Sequence, residues 1–284
     1  MATFYNQAQL SYNGQITNSN ITEGELLEQL TLTKTSVSGS YGVNDTVAFA
    51  VNLVNTGSTA LTSLTLTDNL GAYAVGTGSV VPLDYVDGSL SFYLNGTLET
   101  APTVEAGPPL TVSGINIPAG ANALFLYEAR TNSFAPTAEG ASITNTVTAT
   151  GGGLAEALSS SAVINAEFEA HLTIAKAICP ATVTDNGELT YTFIIQNTGN
   201  RAIVATDNVT VTDAFNPILN PINVSFNGVA WQEGTNYTYS DTTGLFTTLD
   251  GQITVPAASY TQDPTTGIIT VTPGVSIITV TGTV

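Results

Sequence analysis

The chain has 284 residues, enough for roughly two domains, and with 43% hydrophobic and only 9% charged residues it can bury a real core. Its 22 acidic residues outnumber 4 basic ones, for a net charge of −18. That balance excludes the basic face that nucleic-acid binding needs, and it accounts for solubility by repulsion. One cysteine, Cys179, and one histidine, His171, leave no internal disulfide framework and no Cys/His metal cluster. No metal or cofactor is expected.

The first residues, MATFYN, carry no basic region followed by an apolar run, so no secretory signal is expected. No apolar run approaches membrane-spanning length, so membrane insertion is not expected. Residues 1–28 are expected to hold one strand and a polar linker. From Phe4 to Tyr12 the residues alternate, with Phe4, Asn6, Ala8, Leu10 and Tyr12 on one face, and Asn13-Gly14 marks a turn.

Strands then follow at Leu30–Lys34, Thr46–Asn55, Leu61–Asp68, Val86–Leu94, Leu110–Ile117, Asn122–Thr131 and Ser142–Thr150, with Asn95-Gly96 as a hairpin signal. Short strands with regular turn signals predict an all-β chain of immunoglobulin-like antiparallel sandwiches. Gly151–Gly153 and Ser159–Ser161 mark the boundary, giving one domain over 29–166 and a second over 167–284.

The second domain repeats the first. LTIAK at Leu172–Lys176 matches LTLTK at Leu30–Lys34, and Asn197-Thr198-Gly199 matches Asn55-Thr56-Gly57 at the same displacement. Val209–Asp213 matches Leu64–Asp68, Phe226-Asn227-Gly228 matches Leu94-Asn95-Gly96, and Pro273–Val280 resembles Pro118–Leu126. The first domain continues into Ile143–Thr150, whereas the sequence given ends at Val284. Tyr5–Ser11 lies over Thr144–Thr150, with Asn6 on Asn145 and Ala8 on Val147. The expectation is a tandem array cut one strand out of phase. The second domain then lacks its last strand and keeps an acceptor groove at Lys176, Asp213, Ile278 and Val280. The N-terminal strand is the donor. It can insert into the next copy, fold back into its own chain, or stay a free tail. Burying about four apolar side chains at roughly 1.5–3 kcal/mol each would hold subunits together.

With their pattern of L-T-x-x-K, then Y-x-x-x-x-x-N-T-G, then V-T-x-D, the repeats resemble a family of β-sandwich repeats in bacterial and archaeal surface proteins, catalogued mainly as a domain of unknown function. Tyr191–Gly199 (YTFIIQNTG) is the closest match, and Phe49 departs from the usual tyrosine. The resemblance implies an immunoglobulin-like fold and a wall, sheath or appendage role, with no catalytic activity. The out-of-phase layout looks like strand-donating filament subunits of cell or spore surfaces. Identical subunits are then the expected partners, at an extracellular surface reached by an export route the sequence does not show. The alternative is a monomeric adhesin-like module for carbohydrate or protein, with Trp231 and the tyrosines around Tyr237 as stacking candidates.

Strand parity puts Lys34, Asp68 and Asn145 on inward faces, and likewise Lys176, Asp213 and Asn6. A buried lysine is costly unless paired. Two readings fit. One is a Lys–Asp ion pair with a hydrogen-bonding asparagine. The other is an isopeptide bond, as in similar surface domains, with the aspartate as proton shuttle: Lys34 to Asn145 within a subunit, and Lys176 to Asn6 between subunits. Asp185-Asn186-Gly187-Glu188 is expected to be a turn rather than a calcium loop.

Overall fold

A computed structural model of the chain describes residues 2–26 and 29–284. Met1 and the Leu27-Glu28 part of the expected linker lie outside the described residues. Among those described there is no α-helix, and no helix is long and apolar enough to cross a membrane. The chain forms two compact units. One takes the chain up to Ala135 together with Ser142–Asn165, and the other takes Pro136–Ala141 and Ala166–Val284.

The N-terminal arm is a hairpin rather than one strand and a linker. It contains β1 (Ala2–Asn6), β2 (Gln9–Tyr12), β3 (Gln15–Asn18) and β4 (Thr22–Leu26). β2 pairs with β3 around Asn13-Gly14, both at positive φ, the conformation a two-residue hairpin turn requires. β1 pairs with β4, and among the described residues these strands pair with no others. The second strand carries few apolar residues, so its alternation gives no signal, and the turn chemistry decides the pairing.

Unit 1 contains β5 (Leu30–Ser36), β6 (Ser40–Tyr41), β7 (Thr46–Asn55), β8 (Leu61–Asp68), β9 (Tyr73–Val75), β10 (Gly78–Val80), β11 (Leu83–Tyr85) and β12 (Ser91–Leu94). It continues with β13 (Thr97–Glu99), β14 (Thr103–Glu105), β15 (Leu110–Ile117), β16 (Asn122–Thr131), β17 (Ser142–Gly151) and β18 (Leu158–Ala166). One sheet runs β13-β12-β16-β7-β5 and the other β14-β15-β8-β17-β18-β6. Between them Val51, Phe125 and Tyr127 of the first sheet face Leu66, Val112 and Val147 of the second, around a residual void of about 10 Å³. The strand expected over Val86–Leu94 is shorter, because a turn at Asp87-Gly88 separates β11 from β12.

Unit 2 contains β19 (Leu172–Cys179), β20 (Glu188–Asn197), β21 (Thr212–Ala214), β22 (Ile222–Phe226), β23 (Val229–Trp231), β24 (Tyr237–Tyr239), β25 (Leu245–Thr248), β26 (Ser259–Gln262), β27 (Ile269–Thr272) and β28 (Gly274–Thr283). Its larger sheet, β19-β20-β28-β22-β23, repeats the order β5-β7-β16-β12-β13 of unit 1, with no counterpart of β11, which pairs with β16 there. Residues of and beside β21-β25-β24 share its core, with Val211, Tyr237 and Phe246 packed among those of the larger sheet, and β26-β27 form a separate hairpin.

The repeated N-T-G motif has a structural cause. Asn55 is fully buried, and its amide donates to the carbonyls of Thr59, Ile117 and Pro118 while accepting from Gly57 N–H. Asn197 is buried likewise. It donates to Arg201 O and Pro256 O and accepts from Gly199 and His171 N–H. Any Cβ at Gly199 would sit 2.2 Å from Glu169 O, so only glycine fits. The asparagine thus satisfies buried backbone groups where the strand ends.

Candidate functional site

In unit 1 the fold gathers Lys34, Asp68 and Asn145 into one buried cluster. Lys34 stands on β5, Asp68 ends β8, and Asn145 lies on β17, which pairs with β8. All three are nearly inaccessible, at 4%, 3% and 0%. Lys34 Nζ lies 2.5 Å from Asp68 Oδ2, over the rings of Phe49 and Tyr127. Burial pulls the Lys34 ammonium down to about 8, with Asp68 opposing the shift.

Two further residues complete the cluster. Tyr127 OH donates to Asp68 Oδ2 (2.5 Å) and accepts from Asn145 Nδ2 (3.1 Å). Burial first, and then Asp68, push its phenol pKa far up, so it stays a donor. Gly71 N–H donates to Asn145 Oδ1 at 3.2 Å. Gly71 has φ +75°, and a Cβ there would meet Ile143 at 2.4 Å. The sequence reading missed both residues. Tyr127 follows the inward alternation of Phe125 and Ala129, so a core tyrosine is its ordinary explanation. Gly71 acts through its backbone, which residue type does not reveal.

The arrangement has the parts of an acyl transfer: an amine whose charge is disfavoured by burial, an adjacent carboxylate that can take its proton, and an amide whose oxygen is held by an N–H. It equally satisfies every member as a static network.

Unit 2 has the same strands with a different outcome. Lys176 forms an ion pair with Asp213 and lies 4.1 Å from the Tyr191 ring centroid, yet its side chain is 38% exposed. Asp213 Oδ2 is buried without a hydrogen bond, the ion pair being its contact. The phenol of this unit sits one strand over. Tyr191 replaces Phe49 and points to Asn216 O, while Val280 stands where unit 1 has Tyr127.

The largest difference is on β19. Leu172, Ile174, Lys176 and Ile178 pair directly with the core residues Asn197, Ile195, Phe193 and Tyr191, so they face inward. Yet every residue of β19 is exposed, with Leu172 at 37%, Ile174 at 56% and Ile178 at 45%. On β5, Leu30 at the corresponding position is 2% exposed. In unit 1, β17 and β18 supply the cover. Among the described residues of unit 2, β21 has β25 on one side and no strand on the other. Ile278 and Val280, expected to line the groove, are fully buried, packed in the core of unit 2 with Phe215 and Phe246. The bare apolar surface belongs to β19.

The arm residues Phe4, Asn6, Ala8, Leu10 and Tyr12 are all exposed. Trp231 stacks on Phe226 at 5.0 Å and Tyr237 is buried, so both take part in packing. His171 pairs with Glu169 on the surface, and Cys179 is exposed. Asn186 adopts φ 63° in a turn closed by Gly187 N–H on Thr184 O.

Neither a protein-family model nor a curated protein matches the chain. Among solved structures, it is similar to the pilus backbone RrgB of Streptococcus pneumoniae, with 12% identity over 87% of this chain and 55% of that one, TM-score 0.34. It is also similar to domains D2 and D3 of the major pilin SpaD from Corynebacterium diphtheriae, with 11% identity over 85% and 88%, TM-score 0.36. For BcpA, the major pilin subunit of Bacillus cereus, the values are 12% identity over 95% and 73%, TM-score 0.35. The chain spans 55% of RrgB, 55% of the S. aureus collagen adhesin CNA and 58% of full-length SpaD.

Proposed function

We propose that the chain is a structural subunit of an extracellular filament on a cell or spore surface, joined head to tail when the N-terminal strand of one copy enters unit 2 of the next. The observation that carries this is the inward-facing but uncovered surface of β19, set against its covered counterpart β5. An apolar strand face of this kind is normally blunted or covered. The same chain exposes Phe4, Leu10 and Tyr12 on an alternating strand whose sequence matches the cover in unit 1. Adding a strand to a free sheet edge supplies both ladder hydrogen bonds and side-chain burial.

Electron microscopy of the purified full chain beside a version lacking residues 2–26 tests this. Filaments from the full chain alone are expected, and monodisperse monomers from both would overturn it.

Within that function we infer a covalent reading of the buried cluster. The Lys34 ammonium passes a proton to Asp68. The neutral amine attacks Asn145 Cγ, forming an N–C bond while Gly71 N–H holds the oxygen. Asp68 gives its proton to Nδ2 and regains one from Nζ, and Nδ2 leaves as ammonia. Lys176, Asp213 and an incoming Asn6 would perform the same reaction between subunits. The intact mass of the monomer, lighter by one ammonia, reports the first bond. A ladder surviving boiling in detergent reports the second. An unreduced mass would leave the cluster an ion pair.

A further inference from the structure

Resting on that head-to-tail reading, we infer that the joint is made by the whole N-terminal arm, docked as a preformed hairpin. Its two strands take the places that β17 and β18 hold in unit 1.

The gap in unit 2 is two strands wide. In unit 1, β17 pairs with β8, placing Val147 opposite Asp68 and Ala149 opposite Leu66, and β18 pairs with β17 on its other side. Unit 2 has neither neighbour beyond β21 among the described residues. The arm is likewise two-stranded and already paired. Asn6 faces Thr22 as Asn145 faces Ala162, and Phe4 faces Gly24 as Ile143 faces Ile164.

A second correspondence lies at the edge of the sandwich. In unit 1, Ser160, opposite Val147, turns its Oγ onto the backbone N–H of Lys34 at 2.9 Å, so β18 closes the outer edge of β5. In the arm, Ala8 occupies the Val147 position, and its neighbour across the hairpin is Ser19. Ala8 N–H donates to Ser19 Oγ at 2.9 Å, and Ser19 N–H donates to Ala8 O at 2.8 Å. Ser19 thus stands where Ser160 stands. In the docked arm its Oγ meets the N–H of Lys176 on the free edge of β19. Entry of the first strand alone would strip the β1–β4 and β2–β3 pairings and leave that edge open. A hairpin formed beforehand loses less freedom on docking.

The correspondence fixes a register. Ala8 lies opposite Asp213, Leu10 opposite Val211, and Gln9 opposite Thr212 on the outer face. A one-residue slip would turn every side chain to the wrong face. Two variants of the full chain test the inference. The first carries Gln9→Cys and Thr212→Cys with Cys179→Ser. On oxidation it is expected to give a disulfide-linked ladder that reduction collapses. A cross-linked monomer would overturn docking between copies. The second replaces Gln15–Leu26 with a Gly/Ser linker of equal length and leaves the first strand intact. Loss of filaments is expected, with the unfolding midpoints of the two units unchanged because the arm is exposed. Filaments as abundant as those of the unaltered chain would overturn the hairpin and leave single-strand donation standing. No filaments from the unaltered chain would overturn both.

Discussion

Lys34 decides what unit 1 can do, because its ammonium is buried among aromatic rings with one carboxylate for company. Parity placed Lys34, Asp68 and Asn145 inward, and that much was legible. What parity could not supply is the third dimension: that Tyr127, from the opposite sheet, bridges Asp68 and Asn145, and that the Gly71 backbone holds the amide oxygen. Asp68→Asn keeps the shape but removes the proton carrier, so the intact mass is expected to show no loss of ammonia. Asp68→Ala also strands a buried ammonium, and is expected to cost about 3–5 kcal/mol in denaturant unfolding. The pH dependence has a definite sign. The Lys34 pKa falls from 10.5 in the open chain to about 8 in the fold. Between those values the unfolded state holds the extra proton, so stability rises with pH across that window and is flat above it. The rise is read in Asn145→Ala, which cannot form the bond, against Asn145→Ala with Lys34→Met. It should amount to roughly 3 kcal/mol, and a pH-independent difference would refute the depressed lysine.

At the scale of the element, β5 and β19 carry nearly the same sequence and opposite burial. LTLTK and LTIAK predict the same strand facing the same way, and both form it. Whether that face is dry depends on β17 and β18, which lie far along the chain and cover only one of the two. Burial was therefore not legible in the strand itself, whereas the hairpins at Asn95-Gly96 and Asn227-Gly228 were, because their turn chemistry is local. The arm shows the same division. Its first strand announces itself by alternation, while its second, with Glu23, Gly24 and Glu25, does not. Gly24 has its own reason to be small, since a Cβ there would lie 2.4 Å from the Phe4 ring that covers it. The contrast between β5 and β19 makes a paired prediction. Ile174→Asp, at an exposed site, is expected to move the stability of the isolated chain by less than about 0.5 kcal/mol and to abolish filaments. Leu32→Asp, at the same repeat position in the covered unit, where the side chain is half-buried, is expected to lose about 1 kcal/mol or more of burial. Equal melting losses from the two would show that β19 is already covered.

For the whole molecule, the proposed assembly would be a heterologous contact, the arm of one copy seated on the bare face of unit 2 in the next. Such a contact propagates into an open filament unless its rotation closes a ring. The charge works against it. Every subunit carries −18, so each addition brings like charges together over distances that salt controls. At about 0.01 M ionic strength the screening length is about 30 Å, and at about 0.15 M it is near 8 Å. Elongation followed by light scattering is therefore expected to speed up severalfold across that range and then level off, once repulsion is confined to the contact itself. The sign is the informative part. Elongation that slows with added salt would mean that the arm and its acceptor attract through complementary charge, and the apolar face of β19 would then not be the main source of the contact.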